Sequence, residues 1–118
     1  MTRENSDRFL PLSPAMVHLL LALAGQDRHG YGIMQEISRQ SDGKYKLGPG
    51  SLYDNLQKAI RRGWVADLGH RSGDNDPRRR YYRLTSPGTV VLGAEMSRLE
   101  NVIRDARARL RIPKPRRA

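Results

Sequence analysis

The side chains best equipped for chemistry in this 118-residue chain are cations and amides, and they are grouped. Asp54, Asn55, Gln57, Lys58, Arg61 and Arg62 are interleaved with Leu52, Leu56, Ala59 and Ile60, whose spacing places the apolar set on one helical face and the polar set on the other. A second group, Arg71, Arg78, Arg79 and Arg80, brackets a stretch of Gly, Ser, Asp, Asn and Pro. Such groups hold anions and form bidentate hydrogen bonds to planar partners. The three histidines, His18, His29 and His70, are scattered, without the i, i+4 spacing of metal ligands or a nucleophile nearby. Cysteine is absent, so thiolate metal sites and disulfides are excluded. Gly48-Pro49-Gly50 lacks the Lys-Ser/Thr of a phosphate-gripping loop. No catalytic residue, metal or cofactor is expected, and the chain does not read as an enzyme.

Charge says what those cations meet. Lys and Arg number 22 against 12 Asp and Glu, a formal net charge of +10, and the pI is near 10.8. On one small domain that is the footprint of a polyanion binder. With 37% hydrophobic and 6% aromatic residues the core is lean, and a second copy of the chain is expected to finish it. The longest apolar run, residues 19–24, is far short of the ~20 residues a bilayer requires, and MTRENSDRF mixes both charges unlike a signal peptide. A cytoplasmic protein with no membrane partner is expected.

The elements that must position these groups follow in order. Residues 1–12 are expected to form a flexible arm. Ser13-Pro14 opens a helix that is apolar on most sides, with Leu20 expected to touch a second subunit, and Gly25 ends it. A second helix carries Ile33, Met34 and Ile37 to about Gln40, and Ser41-Asp42-Gly43 is a turn. The third spans 51–62, after Gly48-Pro49-Gly50, and stops at a left-handed cap on Gly63. Two helices joined in this way, the second with polar tips, are a helix-turn-helix. Strands near 64–68 and 80–84 flank the arginine-bearing loop and make a β-hairpin. Such a loop is ordinarily just solvated; beside a helix-turn-helix it has the content of a wing lying along phosphates.

Thr85-Ser86-Pro87 starts a last helix to about Leu110, in which Leu92, Met96, Leu99, Ile103, Ala106 and Leu110 repeat at alternating spacings of four and three. That is a coiled-coil seam, and a dimer contact is favoured over packing within the chain. The fold class is therefore mainly α with a small β-hairpin: a winged helix-turn-helix domain over 13–86, a dimerisation helix over 87–111 and a basic disordered tail over 112–118.

HGYGI at 29–33, GPGSLY at 48–53, RRGWV at 61–65 and RRYYRLTSPG at 79–88 together resemble the PadR-type transcriptional regulators, in their short form with one C-terminal helix. The resemblance covers residues 13–110. It implies a dimeric repressor on double-stranded DNA, with the third helix in the major groove, the wing over 66–83 at phosphates and the minor groove, and the last helix paired with a partner. By motif match Ser51 and Tyr53 fall where such proteins meet DNA. First-turn amides around Gly50 attract a phosphate, a Tyr hydroxyl donates to another, and Asn55, Gln57 and Lys58 reach base edges. Tyr31 is divided between contact and packing between the second and third helices; His29 is a cap or packing residue. The chain departs from the family at Asp54-Asn55, where Pro-Ala is common, and at Arg61-Arg62, where an acidic pair is common. Some relatives hold a flat aromatic effector between subunits. The terminal helix here has no aromatic residue to line such a site, and the identity of any effector is unknown.

A homodimeric, sequence-specific repressor is thus the leading expectation. The alternative is a sequence-tolerant nucleic-acid binder, architectural or RNA-binding, driven by net charge.

Overall fold

A computed structural model of the chain describes residues 6–115. Helix α1, Pro14–Ala22, begins where Ser13 Oγ accepts the Met16 N–H at 3.1 Å and Pro14 takes the first-turn position that needs no donor. Met16, Leu19, Leu20 and Ala22 are buried, and α1 forms the centre on which the other helices pack. Strand β1, Arg28–His29, leads into α2, Gly30–Gln40, which buries Ile33 and Ile37. Its cap is His29, whose Nδ1 accepts the Gly32 N–H at 3.1 Å.

Helix α3 runs Pro49–Arg61, two residues earlier than the pattern predicts at its start. Pro49 is pre-set for the first helical position, so Gly48 becomes the N-cap and Ser51 lies inside the first turn. The far end matches expectation. Gly63 has φ +77°, Gly63 N–H donates to Ile60 O at 3.0 Å and Trp64 N–H to Ala59 O at 2.9 Å, a paired closure that uses a left-handed residue.

Strands β2, Val65–Gly69, and β3, Tyr81–Leu84, form the expected hairpin, and β1 adds to the outer side of β3. Both pairings are antiparallel, in the order β1-β3-β2, with Arg28 opposite Tyr82 and Val65 opposite Leu84. A two-residue strand leaves no alternation in the sequence, so this third strand was not expected. The register slips between Asp67 and Gly69, which bends β2 at the root of the loop.

Helix α4, Ser86–Leu110, is seated on the end of α3. Thr85 N–H and Oγ1 donate to the carbonyls of Trp64 (3.0 Å) and Gly63 (2.5 Å), and Thr85 Oγ1 accepts the Gly88 N–H. Gly88 passes so close to the Trp64 carbonyl that a Cβ there would collide with it.

Two expectations change. The arm is not loose over its described part: Phe9 meets Trp64 edge-to-face at 5.3 Å, Leu12 is buried, and the Leu12 N–H donates to the buried Glu95 carboxylate at 2.5 Å. Leu20 and Leu92 are 0% and 7% exposed inside the chain's own core, which removes both from a surface seam. The core needs them because α1 is covered on several sides at once. Residues 112–115 are exposed and carry no regular structure, and the tail beyond them, like residues 1–5, lies outside the described residues.

Candidate nucleic-acid interface

Burial of Leu52, Leu56 and Ala59 turns the other side of α3 to solvent. Ser51, Tyr53, Asp54, Gln57, Lys58 and Arg61 are exposed along it. At 100° per residue, Asp54, Gln57 and Arg61 lie most nearly opposite the core, with Lys58 beside them. Asn55 lies on one flank instead: it is half-buried, and its Nδ2 donates to Ser51 O at 2.8 Å. The first turn has no side-chain cap, and its first intrahelical bond is Leu52 N–H to Gly48 O at 2.9 Å. The amides of Gly50 and Ser51 therefore point out of the helix start as donors, where the helix dipole also favours an anion.

On the other flank Tyr53, 47% exposed, lays its hydroxyl against Gly30, so closely that any Cβ at residue 30 would strike it. Tyr31 is 61% exposed, which places it at the surface rather than between helices. Gly30, Tyr31 and Tyr53 share a cleft of about 420 Å³ with Arg78, Arg79 and Arg80 from the loop. The structure thus brings together Tyr53 of α3, the start of α2 and the arginine wing. Arg71 lies outside this cleft, with its guanidinium over the Tyr81 ring at 4.2 Å.

The sequence did not reveal what each wing arginine faces. Arg80 pairs with Asp67 (3.0 Å), Arg79 with Asp74 (3.4 Å) and Arg78 with Asp76 (3.4 Å). Arg71 and Arg83 share Asp27 at 3.2 and 2.8 Å. All four carboxyls are held below their usual range. For Asp27 the main cause is the Arg83 hydrogen bond; for Asp74 it is the Tyr81 hydroxyl, which donates at 2.6 Å. For Asp76 it is the Arg78 backbone N–H at 2.9 Å. At Asp67 partial burial pushes upward, but the Arg80 and Gly69 hydrogen bonds outweigh it. The same aspartates brace the loop, since Asp67, Asp74 and Asp76 each accept the N–H two residues on. The wing is a tied structure, not a solvated run of cations. The signal for this was present in the Asp74-x-Asp76-x-Arg78 spacing, which repeats the i to i+2 turn.

His29, at the cleft, has a pKa lowered from its ordinary 6.5, first by burial and then by the charge of Arg79. A neutral ring is what an acceptor of the Gly32 N–H must be.

The exposed apolar side chains cluster on α4. Met96, Val102, Ile103 and Leu110 are about half exposed or more, Ala106 is exposed and Leu99 is half-buried. No helix among the described residues is long and apolar enough to cross a membrane.

Comparison with known proteins agrees with this architecture. The model of the transcriptional regulator PadR-like family matches residues 19–94. A curated relative, an uncharacterised protein of Lysinibacillus sphaericus, is 30% identical over 74 residues, covering 63% of this chain and 67% of that one. Among solved structures, a transcriptional regulator from Clostridium thermocellum superposes with TM-score 0.67 at 21% identity, covering 88% of this chain and 96% of that one. A PadR family transcription regulator from Clostridium difficile R20291 gives 0.65 at 20%, covering 83% and 98%. At those identities the two structures speak for the fold.

Proposed function

Because the chain belongs to the PadR-like family of transcriptional regulators, we propose that it acts in the cytoplasm as a homodimeric, sequence-specific DNA-binding repressor. Helix α3 enters the major groove with Gln57 and Lys58 at base edges, joined by Asp54 and Arg61 from the centre of the exposed face. Asn55 acts from its flank. The amides of Gly50 and Ser51, the Tyr53 hydroxyl and Tyr31 meet one backbone, and Arg71, Arg78, Arg79 and Arg80 exchange aspartates for phosphates along the wing. The α4 faces of two chains pair through Met96, Leu99, Ile103, Ala106 and Leu110. Two α3 helices then address half-sites about one helical turn apart, and the bound dimer blocks the operator by occupying it.

The observation that carries this reading is the shared cleft, in which two exposed tyrosines, one from each helix of the helix-turn-helix, and three wing arginines converge. The net charge of +10 favours a second reading, a sequence-tolerant binder. Selection of bound duplexes from a random pool, followed by titration of the selected and an unrelated duplex, separates the two. The repressor reading expects a gap of about 4–10 kcal/mol between them. Equal affinities that fall together with salt identify the sequence-tolerant binder instead.

A further inference from the structure

The cleft between α3 and the wing accounts for one side of the helix. On the other side a second groove, of about 200 Å³, runs between α3 and the N-terminal segment, with Lys58, Asn55 and Arg62 on the helix and Phe9 and Ser13 opposite. Arg8 and Arg62 are both stacked on the Phe9 ring, with guanidinium carbons 4.9 and 5.1 Å from its centre; Arg62 also lies 5.2 Å from the Trp64 ring. Two like charges are thus held against one phenyl group with Lys58 nearby. Among the described residues none of the three forms an ion pair, whereas every arginine of the wing does. No acidic side chain lines the groove.

Like charges gathered without a counter-charge repel, and an anion between them relieves the repulsion. A helix in the major groove has a phosphate backbone on each side. We propose that Arg62, in this groove, and Arg8, on the Phe9 ring at its side, form a second DNA-backbone site, gripping the phosphates on the side of α3 opposite the wing. This rests on the reading of α3 as the DNA-contacting helix. It gives the N-terminal segment a part in binding: Phe9 and Trp64 fix the two guanidiniums in place, so less side-chain freedom is lost when phosphate arrives. The groove also differs from the wing in kind. Its cations displace counterions on binding, while wing cations first have to leave an aspartate.

The test compares the full chain with Arg8→Ala, with Arg62→Met, which keeps an apolar stem on the two rings, and with the double variant. Affinity for the selected duplex and for a random duplex of equal length is measured over a series of salt concentrations, with thermal melting to follow the fold. Each lost phosphate contact lowers the slope of log affinity against log salt by about 0.9. We expect each single variant to flatten the slope by about one and the double by about two, on both duplexes alike, with their affinity ratio unchanged. Unchanged slopes in variants that melt like the parent overturn the proposal. So does loss of the ratio at constant slope, which would make the groove a base reader. If Arg62→Met alone fails to fold, Arg8→Ala decides. Absence of binding by the unaltered chain would instead overturn the DNA-contacting assignment of α3, and this proposal with it.

Discussion

Single atoms decide how the cleft works. Gly30 is the first residue of α2, and the space its Cβ would fill holds the Tyr53 hydroxyl. Tyr53 is half exposed at the far end of a side chain, so Gly30→Ala displaces the ring and leaves the backbone in place. We therefore expect Gly30→Ala to melt within a few degrees of the parent yet lose DNA affinity as far as Tyr53→Phe does, each by about 1.5–3 kcal/mol for one hydrogen bond to a charged group. Normal affinity in Gly30→Ala, measured by anisotropy, would detach Tyr53 from the interface. His29 carries a second consequence. Its folded pKa is below the unfolded 6.5, so the stability it contributes is full above 6.5 and is lost as pH falls through the folded value. A protonated Nδ1 also cannot accept the Gly32 N–H. His29→Asn keeps a capping oxygen without a titration. Between about pH 7.5 and 5, where histidine changes charge, the parent should lose more melting temperature than this variant; equal losses would show that His29 does not titrate on folding.

A close backbone approach fixes how α4 sits on the end of α3. At Gly88 a Cβ would meet the Trp64 carbonyl and come within 2.7 Å of Leu84 Cδ1, and neither backbone can yield without parting α4 from the end of α3. Gly88→Ala should destabilise by about 1–3 kcal/mol or more, as overpacking does. Gly93, in the same helix with nothing near its missing Cβ, should gain about 1 kcal/mol on change to alanine. Calorimetric melts that move both variants the same way would contradict that contrast. This pair also marks what the sequence could disclose. The caps at Ser13, Gly63 and Thr85 were legible because each is a local pattern of residue type and spacing. So was the polar face of α3, since Leu52, Leu56 and Ala59 define its inner side. Non-local partners were not legible. The pairing of Asp27 with Arg71 and Arg83 and of Asp67 with Arg80, the β1–β3 pairing and the folding of Phe9 onto Trp64 join residues whose nearness only the tertiary structure creates. The burial of Leu20 and Leu92 has the same origin, because a heptad pattern records which residues are apolar but not which chain covers them.

For the molecule as a whole, α4 raises the question of what supports it. Its 25 residues span about 37 Å at ~1.5 Å each, and every residue from 100 to 110 except Arg107 is exposed. Taken by itself, a stretch as short as residues 100–110 is marginal as a helix in water, because nucleation is unfavourable and few hydrogen bonds follow it. Yet the projecting part carries Val102, Ile103 and Leu110 on its surface, and burying the exposed half of Ile103 alone would contribute about 1 kcal/mol. In the proposed homodimer a second copy meeting the same face would supply the missing support and set the distance between two α3 helices. Ile103→Glu tests this without touching the core, since the side chain is 49% exposed in the single chain. In the dimer it would bury an unpaired carboxylate on each side of the two-fold axis. Sedimentation should then give monomers with the wing and α3 still folded. DNA affinity should fall on the order of 100-fold or more, because the second half-site would no longer be engaged at the high local concentration a dimer provides. If Ile103→Glu sediments as a dimer, the projecting helix is covered by some other surface, and the spacing of half-sites must be sought elsewhere. If it is monomeric but binds the operator as tightly as before, one chain suffices for recognition and the two-fold arrangement has no part in it.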